Sequence, residues 1–526
     1  MAARYWVSGG TGNTNSTTNW STSSGGASGA SVPTSVDSAT WDANSGVGTV
    51  TVNAAFACLT ANFTGFTGTF AGSSTVAVSG NLTLGAGTTY TYTGTLTIAA
   101  TATLTSNAKT FTGTLVLCSQ NAVVTLADSW TVQNFTHGAN NRTIVINGFA
   151  INILGNYLTA QTSSNALTGT TVIRFTGTGT WTASGYYDIR MAFEINTAST
   201  IIISGSVGYS TGSLTVISGT IISTGSTLII PTGSAALTTN GQVFNNLTVS
   251  SVSAATLTCF DNVTLTGNLQ LGITNQPTSL NGFTVYAATM TLNSTTGNIS
   301  GTTNIELTDN GNLTSLLTSG YISNNLTFNN GLNTLTIVGN INYRIGTLTR
   351  ISGTINTGTS TLNIGASTTL NTAGVNWYNV TLSGVSTITN NSLLTVTNNL
   401  IYALGSIITF AGTTGWTVAT FDIQTSSNVN HILKSGLTYT ITTNFISIAT
   451  TNALKDTLKS SIPGSQAILT LNYGANQSVG FTNATDIDSS LGQPIYVANG
   501  TLSNATNWNP LVATDMGGGG SLIFVN

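Results

Sequence analysis

The sequence predicts an all-β protein, a parallel β-solenoid (β-helix) in which successive coils of one chain stack on each other. Three observations lead to this prediction. Short runs alternate Thr with Val, Ile or Leu, a phrase recurs along the 526 residues, and charged residues are scarce. Each observation has its own physical reason.

Alternation with a period of two residues runs through most of the chain. Runs such as GTVTVNAAF and STVAVSGNLTL place an aliphatic residue at every second position, which is typical of strands with one buried face. Gly, Asn and Ser, which tolerate turns and left-handed backbone, separate the runs. One stretch differs: TTNALKDTLKSSIPG, from Thr450 to Gly464, has capping residues, Leu at i and i+4 and a Pro-Gly stop, and these predict a helix.

Internal repetition favours a solenoid over a sandwich or a barrel. LTVISGTIISTGSTLII from Leu214 returns further along the chain as LTRISGTINTGTSTLNI from Leu348. FNNLTVSSVS from Phe244 returns as WYNVTLSGVS from Trp377, and the distance along the chain between these two copies is one residue shorter than that between Leu214 and Leu348. A shorter phrase, Asn-(Leu/Val)-Thr followed by an apolar residue, begins at Asn81, Asn246, Asn262, Asn325 and Asn379. Such repetition is the signature of stacked coils.

Charged residues make up 4% of the chain, against about a quarter in ordinary soluble proteins. In stacked coils each residue lies about 4.8 Å from its counterpart in the next coil, where two like charges repel by about 1 kcal/mol even in water. Stacked Thr and Asn avoid this repulsion and can hydrogen-bond from coil to coil. Because 40% of the residues are hydrophobic, the chain has material for a core and we do not expect disorder.

Composition also excludes several classes of partner. With a net charge of −3 and ten Lys and Arg in total, the chain lacks the basic surface that nucleic-acid binding requires. No apolar run reaches the roughly 18 residues of a membrane-spanning helix, and MAARYWVSGGTGN lacks the apolar segment of a secretion signal. The odd, widely spaced Cys58, Cys118 and Cys259 predict buried thiols in a chain that folds in a reducing cytoplasm, not a disulfide framework.

The ends of the chain differ in composition from its middle. We expect residues 1–46 to be an N-terminal cap or particle-anchoring segment, 47–430 a solenoid with its duplication at about 214–270 and 348–402, and 431–526 a C-terminal cap, oligomerisation or receptor-facing segment. The first segment holds Trp6, Trp20 and Trp41, and bulky aromatics of this kind could hide the open edge of a first coil.

One segment is a candidate for glycan or subunit contact: GTWTASGYYDIRMAFEIN, from Gly179 to Asn196. It gathers residue types that are rare elsewhere in the chain: Trp181, Tyr186, Tyr187, Asp188, Arg190 and Glu194. The aromatic rings could stack on a sugar while the charged groups bind its hydroxyls. The alternative, which we favour, is a loop packed on a neighbouring subunit with ordinary ion pairs.

Paired carboxylates form a separate class of candidate because enzymes that cut glycans use two of them. Asp486 and Asp488 would share one face of a strand, but turn and capping roles are commoner for such a phrase. Glu306 and Asp309 flank a Leu-Thr pair before a glycine turn and are expected at a solvated coil corner. His137 and His431 have no partner at metal-ligand spacing. We therefore expect no catalytic residue, no metal and no cofactor.

Two terminal phrases carry a resemblance to a known group. YWVSGGTGNTNSTTNWS with the later PTSVDSATWDANSG resembles the first segment of large β-helical proteins of bacteriophage genomes and bacterial surfaces. ATDIDSSLGQPIYVANGTLSNATNWN is similar to the ends of the phage members. Together the phrases cover only a small part of the chain, and the Thr-rich middle resembles β-helical tail fibres, tailspikes and adhesins more generally.

The resemblance implies an oligomeric appendage, expected to be trimeric, on the surface of a virion that assembles in the host cytoplasm. A non-enzymatic tail fibre or spike for host attachment is the favoured expectation, with other virion proteins and a host surface glycan as partners. Three alternatives stay open: a head fibre or capsid decoration protein, an adhesin on a bacterial cell surface, and a tailspike-type glycan depolymerase.

Overall fold

A computed structural model describes residues 1–9, 11–117, 122–137, 144–159, 166–184, 188–249, 253–272, 277–293, 296–403, 405–424, 429–448 and 454–511. Over these residues the chain is an all-β parallel β-solenoid of about 19 turns with almost no helix. The predicted fold class is thus confirmed. Two short 3-10 helices, Thr17–Asn19 and Ala43–Ser45, occur near the N-terminus.

The strands are short, as expected for a solenoid in which each coil contains several of them. In chain order they are Ala3–Trp6, Gly12–Asn13, Trp20–Ser21, Ser38–Thr40, Thr49–Val52, Phe56–Cys58, Thr60–Asn62, Thr69–Gly72, Val76–Val78, Leu82–Thr83, Thr89–Tyr90, Thr95–Ile98, Ala102–Thr105, Thr110–Leu117, Val123–Leu126, Trp130–His137, Ile144–Gly148, Ile151–Ile153, Tyr157–Thr159, Ala166–Gly169, Ile173–Phe175, Gly179–Ser184, Asp188–Arg190, Phe193–Gly208, Ser213–Ile222, Thr227–Ile230, Gly233–Thr238, Val243–Phe244, Asn246–Val249, Ala255–Cys259, Val263–Leu265, Asn268–Leu271, Thr278–Gly282, Val285–Ala287, Thr289–Leu292, Ile299–Ser300, Asn304–Leu307, Asn312–Ser315, Asn325–Val338, Ile341–Tyr343, Gly346–Asn356, Thr361–Ile364, Thr368–Asn371, Asn376–Leu382, Val385–Asn390, Leu394–Tyr402, Ile407–Gly412, Trp416–Ile423, Asn430–Leu433, Thr438–Ile448, Asp456–Ser460, Ala467–Leu471, Asn476–Gly480, Thr482–Thr485, Ile487–Asp488, Ile495–Ala498, Leu502–Ser503 and Trp508–Pro510.

The chain forms two compact units. The first comprises Met1–Asn293 with Ser300–Thr303, and the second Ser294–Ile299 with Asn304–Asn526. In the first unit Leu82, Leu104 and Leu126 are register partners in parallel strands of three consecutive coils. All three are buried, so equivalent side chains of successive coils form a continuous apolar column.

The recurring Asn phrase has a structural role. The side-chain carbonyl of its first residue accepts a hydrogen bond from a backbone N–H of the next coil. The pairs are Asn81 with Thr103, Asn246 with Asn268, Asn262 with Thr284, Asn325 with Thr347 and Asn379 with Asn399, at 2.8 to 3.3 Å. Coil-to-coil hydrogen bonding by aligned Asn side chains is therefore confirmed.

A bulged arch is one place where the offset between the repeats changes. In the first unit three residues lie between Asn196 and Thr200, while their partners Ser218 and Thr220 are separated by one. In the second unit the equivalent arch, between Asn329 and Thr334, contains four residues. The extra residue lengthens the offset between the two copies by one, and the parallel register resumes beyond the arch in both.

The repeat also has a third copy. In each copy a turn is closed by a backbone hydrogen bond with an N···O distance of 3.0 Å, and the donors recur at equal intervals along the chain: Lys109, Gln242 and Val375. The first buried aromatic residue after each turn, Phe111, Phe244 or Trp377, keeps the same interval. With coils of about 22 residues, one repeat corresponds to about six coils.

The N-terminal residues build an aromatic core. Trp6, Trp20 and Trp41 are buried, and the ring of Trp20 lies 5.4 Å from those of both other tryptophans, in edge-to-face contacts. Trp41 also stacks on Phe63, with 4.2 Å between ring centroids. The strand Ala3–Trp6 pairs antiparallel with the two-residue strand Trp20–Ser21, and a strand this short presents little open edge.

The predicted helix is wrong for residues 454–464, the described part of the stretch from Thr450. Asp456–Ser460 is a strand in which Asp456, Leu458 and Ser460 are buried in alternation. It pairs in parallel with Asn430–Leu433 on one side and Thr482–Thr485 on the other. Backbone pairing on both edges outweighs the local helix preference of Leu and Lys. Residues 450–453 lie outside the described residues.

Candidate functional site

Trp181 is a core residue. It lies in the strand Gly179–Ser184, is fully buried, and stacks on Phe193 with 4.3 Å between ring centroids. Tyr157, its register partner in the preceding coil, completes the aromatic column. Trp181 alternates with the less buried Thr180 and Thr182. The period-two pattern of the strand therefore places the Trp181 side chain on the inward face. Its indole therefore has no open face for a sugar.

Glu194 lies at the surface in an ion pair. Its Oε2 accepts a hydrogen bond from Arg174 Nε at 2.6 Å, and the side chains of Arg174 and Glu194 are 31% and 21% exposed. The two residues are register partners in consecutive coils, so opposite charges occupy the positions where like charges would repel. Sequence reasoning missed Arg174 because it lies a full coil earlier in the chain.

The other members of the candidate segment are more dispersed. Asp188 begins the strand Asp188–Arg190, and Arg190, which is exposed, is the register partner of Thr168. Tyr186 and Tyr187 lie outside the described residues. Among the described members, the structure places Trp181 in the core and Glu194 and Arg190 on strands that belong to different sheets, so it does not bring these three into one surface.

The carboxylates weighed for catalysis have structural partners. Asp486 has a left-handed φ of 56° and precedes the strand Ile487–Asp488. Its carboxylate accepts hydrogen bonds from Asn504 Nδ2 and from the Gly464 N–H, and these hold its pKa below the ordinary value. Asp488 accepts from the N–H of Ser490 at 2.9 Å. Both carboxylates therefore make the turn and capping contacts expected of them.

Glu306 and Asp309 also bind neighbouring backbone and side chains. Glu306 Oε1 accepts a hydrogen bond from Asn329 Nδ2 at 2.8 Å. Asp309 Oδ1 accepts from Asn333 Nδ2 at 3.1 Å and from the N–H of Asn310. The contacts with Asn329 and Asn333 connect consecutive coils and stabilise the bulged arch of the second unit.

Both histidines are buried in the core. The Tyr157 hydroxyl and His137 Nδ1 lie 2.9 Å apart, and the Ile408 N–H donates to His431 Nδ1 at 3.4 Å. Burial lowers the pKa of each histidine to about 4, because the charged form is poorly solvated there. Both imidazoles are therefore neutral near pH 7.

Cys58 and Cys259 are buried free thiols, and burial raises the pKa of each to about 12. A thiol with such a pKa stays protonated and unreactive at neutral pH. Cys118 lies outside the described residues. Within the described ranges no three or more His, Cys, Asp or Glu side chains are placed to hold a metal ion, and no helix there is long and apolar enough to cross a membrane.

Two exposed tyrosines near the C-terminal end of the described residues were missed by sequence reasoning. Among the described residues no Phe, Tyr or Trp is more exposed than Tyr473, at 80%, and Tyr496 and Leu491 nearby in the chain are also exposed. We call Tyr473, Leu491 and Tyr496 the C-terminal surface. The available signal was local: Tyr473 precedes a glycine between two strand patterns, the position of a turn tip.

Comparison of the chain with protein-family models, with curated proteins and with solved structures finds no match in any of the three.

Proposed function

We propose that this protein is a non-enzymatic structural component of the outer surface of a bacteriophage particle, a tail fibre or spike that mediates attachment to the host. The fold is compatible with a fibre or an adhesin-like structural protein. The phage assignment rests on the resemblance of the two terminal phrases.

The observation that carries the structural role is the hydrogen bonding of asparagine side chains between coils. At Asn81, Asn246 and Asn325 a side-chain acceptor adds to the backbone bonds that join consecutive coils. Each such bond contributes about 0.5–1.5 kcal/mol, and repetition along a solenoid adds these contributions. A stiff scaffold that holds surface loops in fixed positions suits an attachment protein.

In this proposal residues 1–46 face the particle and the C-terminal region faces the host. The packed tryptophans of the first segment, Trp6, Trp20 and Trp41, would give the anchoring end a rigid core. Three copies would associate, so that weak contacts with a repeated host structure gain strength through multivalency.

Immunogold electron microscopy tests the proposal. Antibodies raised against the purified protein should label phage particles in a lysate of the source culture at the tail. Label on the capsid would instead support a head fibre or decoration protein, and label on cell envelopes without particles would support an adhesin. Release of reducing ends from a host polysaccharide by the purified protein would contradict the non-enzymatic role.

A further inference from the structure

Tyr473 stands at the tip of a defined turn. The N–H of Ala475 donates to the carbonyl oxygen of Asn472 at 3.1 Å, which closes the turn around Tyr473 and Gly474. Gly474 has a φ of 84°, in the left-handed region that favours glycine. The turn therefore fixes the backbone of a side chain that is 80% exposed.

Two glutamines from adjacent coils hold this turn and its neighbour together. Gln493 Oε1 accepts a hydrogen bond from the N–H of Gly474 at 3.3 Å, and its Nε2 donates to the carbonyl oxygen of Ala475. Gln477 acts in the opposite direction: its Nε2 donates to the Pro494 carbonyl oxygen at 2.9 Å, and its Oε1 accepts from the N–H of Tyr496 at 2.8 Å. Both tyrosines are thus attached to backbone that is fixed before any ligand binds.

Preorganisation of this kind favours binding, because less conformational freedom is lost when the ligand arrives. Leu491 is 64% exposed in the turn of the next coil, and Tyr496 is 43% exposed on the strand that follows it. Exposed apolar side chains on rigid backbone have an energetic cost in water and contribute nothing to the core. A ligand that covers them would remove that cost.

The charge of the region limits the ligand. Residues 460–526 contain no Lys, Arg or His, so this segment supplies no cationic side chain for phosphate, sulfate or carboxylate groups. The carboxylates of Asp486 and Asp488 accept hydrogen bonds from within the fold. A stable protein partner needs roughly 1,000 Å² of buried surface, which three side chains do not supply.

We propose that the C-terminal surface binds a neutral carbohydrate, with Tyr473 and Tyr496 as the contact rings. The C–H face of a pyranose packs on the face of an aromatic ring, and the phenolic hydroxyls can donate to or accept from sugar hydroxyls. Leu491 extends the apolar contact beside Tyr473. This inference rests on the proposed function and adds to it the location of the glycan contact and the absence of charge on that glycan.

Binding of soluble neutral glucan, galactan and mannan to the full-length protein, measured by calorimetry, tests the inference. We expect at least one polymer to bind. Tyr473→Ala should weaken that binding at least tenfold and Tyr496→Ala several-fold, whereas Tyr473→Phe should keep most of it because the ring remains. Phe149→Ala, which removes an aromatic side chain 56% exposed in the first unit, is the matched control and should bind like the wild type.

Two results would overturn the inference: no binding to any of the neutral polymers, or equal binding by the wild type and both alanine variants. Unchanged thermal unfolding of the variants would show that they fold, as expected for exposed side chains. Immunogold labelling reports on the proposed function separately. Labelled phage tails together with binding that does not depend on Tyr473 would leave the attachment role intact and remove only this site.

Discussion

The backbone N–H of Thr103 donates to the side-chain carbonyl of Asn81 at 2.8 Å, and the two residues lie in consecutive coils of the first unit. The same relationship recurs at Asn246, Asn262, Asn325 and Asn379, the other positions where the Asn-(Leu/Val)-Thr phrase is followed by an apolar residue. A phrase that looks like low sequence complexity is therefore a specific hydrogen-bonding element.

Removal of this acceptor should loosen the adjacent coil. We expect Asn81→Ala to destabilise the contact by about 1 kcal/mol, which corresponds to roughly fivefold faster amide exchange where opening is local. Hydrogen exchange of a peptide that contains Thr103 measures this. Asn81→Asp keeps the acceptor oxygen and should exchange nearly like the wild type, so equal acceleration in both variants would contradict the assigned role.

Stability should decrease in acid because the two histidines are buried as neutral imidazoles. Their pKa values are about 4 in the fold, against about 6.5 in an unfolded chain. The stabilisation is complete above pH 6.5 and is lost as the pH falls towards 4, by about 2 kcal/mol per histidine at pH 5. Thermal unfolding between pH 8 and pH 4 measures the loss.

Non-titrating variants provide the control for this pH dependence. His431→Gln keeps an acceptor near the Ile408 N–H and should reduce the slope of stability with pH by about half, and His137→Gln should do the same. If stability falls with pH equally in the wild type and in the His431→Gln and His137→Gln variants, groups other than the two histidines cause the acid sensitivity.

Charge reversal in the surface ion pair tests the explanation for the scarcity of charge. Glu194→Gln should cost less than about 1 kcal/mol because Arg174 and Glu194 are partly exposed. Glu194→Lys stacks like charges in adjacent coils and should cost more, with the loss relieved by added salt at about 0.5 M. The exchange of both residues, Arg174→Glu with Glu194→Arg, should recover most of the stability in urea unfolding. If the double exchange does not recover stability, the ion pair between residues 174 and 194 is not the contact that the single variants disturb.

The N-terminal aromatic core should depend strongly on Trp41. Truncation by Trp41→Ala removes the stack on Phe63 and leaves a cavity, at a cost of about 3–5 kcal/mol. Trp41→Phe retains an aromatic ring and should cost clearly less. Limited proteolysis of the N-terminal region, followed by mass spectrometry, distinguishes local loosening from global unfolding, and equal resistance of the two variants would argue against this packing role.

The sequence alone was sufficient for the fold class because a period of two, turn residues and scarce charge are properties of every coil. It was insufficient where a contact spans a coil. Arg174 could not be paired with Glu194 without the coil length, and the strand Asp456–Ser460 is fixed by partners that lie one coil away on either side. The rarity of Trp181 suggests a contact residue, whereas the alternation of its strand places its side chain in the core, where the structure has it.

The arch between Asn329 and Thr334 carries one residue more than its counterpart between Asn196 and Thr200, yet the strands beyond it resume the same pairing. The bulged arch thus accommodates a change in the number of its residues without altering the register of the strands that follow. Foreign peptides grafted between Ala198 and Ser199, or between Gly331 and Leu332, would accordingly be tolerated as outward projections. The same property would let such a chain diversify by insertion while its scaffold stays constant.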